Sequence, residues 1–270
     1  MLGVKPLFRR DRFIPLSNSQ WKGIEKIVDS GRKGTHTLRR IVNAVLKITR
    51  LGMQWRNLEE ETYFYPPWQS VYYYFRKWQR NGVWGRILAV LVEKERIRQG
   101  RNQHASAVAV DSQTGPPGGV KKGSLISIET GIDGNKNING GKRHLAVDSL
   151  GLPLALHVPA ANKNDGKEGI ELLWQLEKSS SRLELIRADH AYQGYFVECC
   201  DYYHWKVEIT QKPESTQGFI PQKGRWQVER SFAWFNFFRR LSKDYEKTLE
   251  SSVAFRQLAF IDILLARNPN

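Results

Sequence analysis

Cysteine is almost absent from this chain: there are two in 270 residues, and they are neighbours, Cys199 and Cys200. Adjacent thiols suit neither a disulfide framework nor a structural metal site. They read as buried thiols in a reducing cytoplasm. Long hydrophobic runs are missing as well. No stretch of about 18 apolar residues is available to cross a membrane, and the opening MLGVKPLFRR lacks the apolar core of a signal peptide.

Acid is in short supply, and the shortage is uneven. Against 42 Lys and Arg stand 27 Asp and Glu, a net charge of +15. Residues 1–100 hold 20 basic and 8 acidic side chains, a net of +12, whereas the other 170 residues hold 22 and 19, a net of +3. A basic first third joined to a nearly neutral remainder predicts a polyanion-binding module fused to something else. An anionic membrane is the competing partner, but no Lys-rich amphipathic terminal helix supports it. Nucleic acid is the expected partner.

What is abundant is aromatic: 9 Trp, 10 Tyr and 12 Phe, many beside Arg or Lys. Residues 1–15 read as a basic arm. Ser17–Gln20 has the pattern of a capping box opening a short helix through Trp21, Ile24, Ile27 and Val28. A basic loop, 31–34, leads to a second helix capped by Thr37 and ending near Gly52. Pro66 and Pro67 start a third helix, Trp68–Arg80, with Trp68, Val71, Tyr72, Phe75 and Trp78 as its core face. Gln69, Tyr73, Arg76, Lys77 and Arg80 are left facing outward. A fourth helix spans Trp84 to about Arg98. These helices and their basic face fit a helix-turn-helix-like DNA-binding domain over residues 1–100; a small bundle with a solvated face is the plainer alternative.

After a polar linker the pattern changes to strands over residues 101–270. Ala107–Asp111 reads as a buried strand, and the Gly/Pro/Lys loop 115–123 lacks the spacing of a phosphate-binding loop. Strands 142–148 and 152–158 flank a hairpin-like turn at Ser149–Gly151. A helix over Asp165 to about Glu177, a strand Leu183–Asp189, a helix 194–202 and a strand 207–210 follow. Lys223–Arg240 reads as one helix and Ser251–Ala266 as the last. The class is therefore α/β, with a helical domain before a mixed-sheet domain.

Three acids carry the chemical argument. Asp111 and Asp189 are expected at strand ends, which this element order brings side by side. Glu229 is the lone carboxylate of a basic, aromatic helix, where it needs a positive partner. Arg225, four residues earlier, is one candidate. The other is a metal ion shared with Asp111 and Asp189. Hard oxygen donors suit Mg2+, and two such ions can clamp both oxygens of a phosphodiester displacement. His190 reads as an orienting or structural residue beside Asp189. Lys142, Arg143 and His144 read equally as backbone-contacting or as a solvated strand start. Asp148 and Asp165, in turn contexts, are left out of the site, and Trp226 and Trp234 are expected in the core on opposite helix faces, with stacking of one on a flipped or frayed base as the alternative.

Leu16–Trp21 (LSNSQW), Pro67–Tyr72 (PWQSVY), Val110–Gln113 (VDSQ), Gly141–His144 with Val147–Gly151, Ala188 and Asp189 with Tyr192 and Gly194, and Arg225–Arg230 (RWQVER) stand in one order along nearly the whole chain. In these stretches the chain resembles bacterial DDE transposases of the insertion-sequence five type. The resemblance implies an RNase H-like catalytic fold in which Asp111, Asp189 and Glu229 form the catalytic, metal-binding triad and Arg225 is a DNA-contacting residue. It implies two Mg2+ ions, for which Mn2+ can substitute, cleavage at the element's ends, and transfer of the freed 3′-hydroxyl to target DNA. It further implies double-stranded DNA as partner, a homodimer or higher assembly on it, and a cytoplasmic, nucleoid-associated protein. Arg76, Lys77 and Arg80 are expected to recognise the terminal inverted repeats. Relatives often carry Tyr and Lys where this chain has Gln222 and Asn236, so Arg239, Arg240 and Lys243 are the candidates for the missing positive charge toward DNA.

Overall fold

A computed structural model describes residues 13–28, 35–115, 130–134, 136–210 and 225–267, with the side chain of Arg225 excepted. The expected arm up to residue 12, the basic loop, most of the Gly/Pro/Lys loop and Gln222 lie outside these residues. By compactness the chain forms two units, Met1–Leu91 with Phe235–Ser242 and Ala254–Asn270, and Val92–Trp234 with Lys243–Val253. This division differs from one at residue 100.

The first unit is helical. Helix α1 (Asn18–Val28) opens on the expected capping box: the Gln20 amide donates to Ser17 Oγ at 3.2 Å, and the Ser17 amide donates to Gln20 Oε1 at 2.7 Å. Helix α2 (Leu38–Leu51) stops at Gly52, whose φ of 68° lets its amide donate back to the Ile48 carbonyl at 2.9 Å. Thr37 precedes α2 without a side-chain cap bond, contrary to expectation. In α3 (Trp68–Arg80), Val71, Phe75 and Trp78 are buried. Trp68 is only half-buried and Tyr72 remains 41% exposed, its ring edge-on to Trp55, so the core face is narrower than the spacing predicted. Asn81 and Gly82 turn the chain into α4 (Val83–Arg98), whose later residues belong to the second unit.

The C-terminal helix α8 (Leu249–Arg267) explains why the division is not at residue 100. From Ala254 onward it belongs to the helical unit, where Phe255 stacks on Phe75 at 4.9 Å and Asp262 pairs with buried Arg50 at 2.9 Å. Burial pushes the Asp262 carboxyl up to about 6 despite that pairing.

The second unit is built on β1 (Ala107–Gly115), β2 (Gly131–Asp133), β3 (Ile138–Val147), β4 (Pro153–His157), β5 (Leu185–Asp189) and β6 (Lys206–Thr210). Strand β3 runs antiparallel to β1 and to β4, while β5 is parallel to β1 and β6 to β5. The resulting order β4-β3-β1-β5-β6, with β2 as a short hairpin on β3, is the mixed sheet of an RNase H-like fold.

Side chains alternate across this sheet. Val108, Val110, Ala146, Ile186 and Ala188 point into a core shared with α5 (Asp165–Ser179) and α6 (Tyr195–Tyr202). Ala109 pairs with Arg187, so two residues farther along both strands Asp111 and Asp189 belong to the opposite face.

Helix α7 (Arg225–Trp234) packs against β1 and β3. It is shorter than the sequence predicted. After Trp234 the chain tightens into two 3-10 turns, Phe235–Phe237 and Arg239–Leu241. Phe235 and Phe238, three residues apart, are both buried, and three residues per turn suits that spacing.

Candidate active site

An open cleft of about 780 Å3 in the second unit is lined by Asp111, Asp189 and Glu229 together with Asp133, Asp165, Lys136 and Lys142. The three acids singled out in the sequence therefore share one cleft. They arrive there in different settings. Asp111 is 8% exposed and sits in the middle of β1, not at its end, because pairing with β3 carries the strand four residues further, to Gly115. The Ser112 amide donates to Asp111 Oδ1 at 2.7 Å. Asp189 closes β5 and starts a turn: its Oδ1 accepts from the Ala191 amide at 3.0 Å, and its carbonyl accepts from the Tyr192 amide at 3.1 Å. Glu229 is exposed on α7.

Helix α7 is fastened by the residues just after Glu229. Arg230 Nη2 donates to the Leu150 carbonyl at 2.6 Å, and Ser231 Oγ to the Gly151 carbonyl at 2.7 Å. The Arg230 guanidinium lies over Trp226 at 4.5 Å and Trp234 at 5.4 Å. Trp226 is 46% exposed and Trp234 half-buried, so these indoles flank a cation at the surface; the expectation that both are core does not hold.

The other candidates fall into place as follows. His190 is exposed, lines the cleft and has Nδ1 2.8 Å from Gln193 Nε2. Lys142, Arg143 and His144 are all buried, which removes the solvated-strand reading; Lys142 Nζ lies 2.9 Å from Asp165 Oδ1. His144, wholly buried beside His157 and Lys142, is held to a pKa of about 3, mainly by burial, and stays neutral. Arg76, Lys77 and Arg80 stand on α3 in the helical unit, Arg80 exposed and the other two half-buried. Arg239 is exposed in that same unit, and Arg240 is half-buried with its guanidinium over Phe255 at 4.8 Å. Asn236 is exposed beyond the end of α7. The side chain of Arg225 is outside the described residues.

Sequence reasoning missed several cleft residues. Asp165 looked like a turn residue, yet it is the first residue of α5 and lines the cleft; Asp133 also lines it and accepts from Thr114 Oγ1. Asp148, also left out of the site on sequence, is not among the residues that line the cleft. It is 1% exposed, pairs with Arg96, and its Oδ1 accepts from the amides of Leu150 at 2.9 Å and Leu152 at 2.8 Å.

The donor set fits a hard divalent cation in kind, since five carboxylates and two lysines line the cleft among the described residues. Among the described residues, however, no three His, Cys, Asp or Glu side chains are gathered closely enough to hold a metal ion. The described residues also include no helix long and apolar enough to cross a membrane.

Residues 102–261 match the family model described as "Transposase DDE domain", and residues 16–88 match one described as "Putative transposase of IS4/5 family". The first match spans more than half of the chain, which therefore belongs to the DDE transposase family. A curated relative from Burkholderia cepacia, "Putative transposase for insertion sequence element IS402", is 29% identical over 130 residues. That match covers 44% of this chain and 60% of the relative's length. The crystal structure of the Mos1 strand transfer complex aligns over 90% of this chain and 82% of that one, at 12% identity and a TM-score of 0.26, too slight a likeness to build on.

Proposed function

We propose that this transposase binds the terminal inverted repeats of an insertion sequence and catalyses both strand cleavage and strand transfer, with Asp111, Asp189 and Glu229 holding divalent metal ions. The observation that carries the proposal is the makeup of one cleft, in which, among the described residues, five carboxylates outnumber two lysines. Phosphodiester DNA is repelled by that surplus of negative charge unless cations reverse it. Two Mg2+ or Mn2+ ions bound there would supply the reversal and stabilise the attacking and leaving oxygens of an in-line displacement.

The chemistry is two displacements at phosphorus. Water attacks at the element's end and breaks the P–O3′ bond, freeing a 3′-hydroxyl. That hydroxyl attacks a phosphate of target DNA and displaces the target's own 3′-oxygen. Lys136, exposed on the cleft, is suited to a backbone phosphate. The helical portion within residues 1–100 is the DNA-recognition module and residues 101–270 carry the chemistry. Arg76, Lys77 and Arg80 on α3 read the inverted repeat, with Arg225, Arg239 and Arg240 as further DNA contacts. Two ends must be held together, which calls for a homodimer or larger assembly, acting in the cytoplasm on nucleoid DNA.

The test is incubation with labelled end DNA, a target plasmid and Mg2+. Joined products are expected from the native chain and not from Asp111→Asn, Asp189→Asn or Glu229→Gln. Cleavage without joining would reduce the protein to a nuclease, and binding with neither would leave only a DNA-binding regulator.

A further inference from the structure

Three residues beyond Asp189, a tyrosine is buried completely. Tyr192 has no exposed surface, and its ring packs against Phe196 at 5.1 Å between centroids. A Cβ at Gly169 would come within 2.8 Å of Tyr192 Cε1, so the ring is closely confined. Its hydroxyl is 2.8 Å from Nδ1 of His144 on β3, the residue that stands opposite Ser112 of β1 in the sheet. Burial, followed by the nearby Asp111, Asp165 and Asp189, raises the phenol well above its usual range. The phenol is therefore a neutral hydroxyl with one proton to donate and lone pairs to accept.

Both ends of this contact lead to a carboxylate. Tyr192 closes the turn that Asp189 begins, by its amide bond to the Asp189 carbonyl. His144 faces Ser112 across the β1–β3 ladder, and the Ser112 amide holds Asp111. We infer that Tyr192 is a positioning residue whose hydroxyl, held by His144, fixes the Asp189 turn relative to the β1–β3 pair that carries Asp111. The inference rests on the reading of Asp111 and Asp189 as metal ligands. Partners that orient ligands through hydrogen bonds commonly change metal affinity by about 10–100-fold when removed. Two carboxylates on separate strands need such a tie most, because each can drift without unfolding anything.

Tyr192→Phe removes the hydroxyl and keeps the ring. In the full-length protein with end DNA, Mn2+ affinity read from the electron paramagnetic resonance signal of free Mn2+ is expected to fall about tenfold, with thermal unfolding changed by only a few degrees. His144→Leu removes the partner of the hydroxyl and is expected to weaken Mn2+ in the same direction; it stands in if Tyr192→Phe does not fold. Native Mn2+ affinity in a folded Tyr192→Phe, or in a folded His144→Leu, overturns the inference. Asp189→Asn is the control that separates the two claims. If that variant keeps native affinity, the metal-ligand reading fails and takes this inference with it; if it loses affinity while Tyr192→Phe does not, only the tie fails.

Discussion

The β3–β4 hairpin and the cleft, both bordering β1, treat negative charge in opposite ways. At the hairpin end Asp148 is buried, ion-paired with Arg96 and saturated by the amides of Leu150 and Leu152. On the cleft side five carboxylates border open space, against two lysines among the described residues. The hairpin end satisfies its charge from within the protein, which is what a structural joint requires. The cleft side concentrates more negative charge than the lysines among its described residues can balance, which is what a cation-dependent site requires. Helix α7 connects these roles: Arg230 and Ser231 grip the hairpin turn, and Glu229, one residue earlier, lines the cleft.

If this contrast is right, neutralising cleft carboxylates removes activity and spares the fold, whereas breaking the hairpin end does the reverse. The largest effect is expected from Asp111→Asn, Asp189→Asn and Glu229→Gln: joined product drops to background in a gel assay while unfolding curves stay near native. Asp148→Ala strands the buried Arg96 charge and is expected to cost roughly 3–5 kcal/mol in urea unfolding.

Gly151 is the subtler way to disturb the joint. Its φ is 71°, and a Cβ there would approach Arg230 Nη2 to 2.8 Å and Ser231 Oγ to 3.0 Å. Gly151→Ala is expected to cost on the order of 1–3 kcal/mol and to lower activity through α7. Gly134→Ala, whose Cβ would meet nothing within 4 Å, is the matched control expected to change little. A denaturation series on both variants checks this.

The effect confined to acid is a slope. His144 is neutral in the folded protein down to about pH 3, whereas an ordinary histidine takes up its proton near 6.5. Between those values the unfolded chain binds the extra proton, so this contribution to stability is intact above about 6.5 and declines as pH falls toward 3. One group accounts for about 1 kcal/mol per pH unit. His144→Gln is expected to flatten the acid limb of stability against pH, measured by chemical denaturation at several pH values.

Local signals in the sequence were enough for the capping box at Ser17, the Gly52 stop, the range of α3 and the acids that would share a site. Each depends on spacing within a few residues. What was illegible depends on partners far along the chain. Asp111 looked like a strand end because Ser112–Gly115 is polar, yet those residues extend β1 by pairing with His144–Gly141. Asp133 and Asp165 reach the cleft through the hairpin of β2 and the start of α5, and nothing in their neighbours announces it. The continuous aromatic pattern through Lys223–Arg240 hid the change to 3-10 turns, because buried Phe235 and Phe238 satisfy a helical spacing as well. The C-terminal helix joined the helical unit through Phe75, Phe255 and the Arg50–Asp262 pair, contacts about 180 residues or more apart in sequence.

Where the metal binds can be mapped without relying on turnover. With Fe2+ in place of Mg2+ on the protein–DNA complex, ascorbate and peroxide generate hydroxyl radicals that cut the backbone beside the ion. Cuts are predicted near Asp111, Asp189 and Glu229 together, all suppressed by excess Mg2+ and absent from Asp189→Asn. Cuts that cluster elsewhere, or that persist unchanged in Asp189→Asn, would contradict the assignment of this cleft as the metal site.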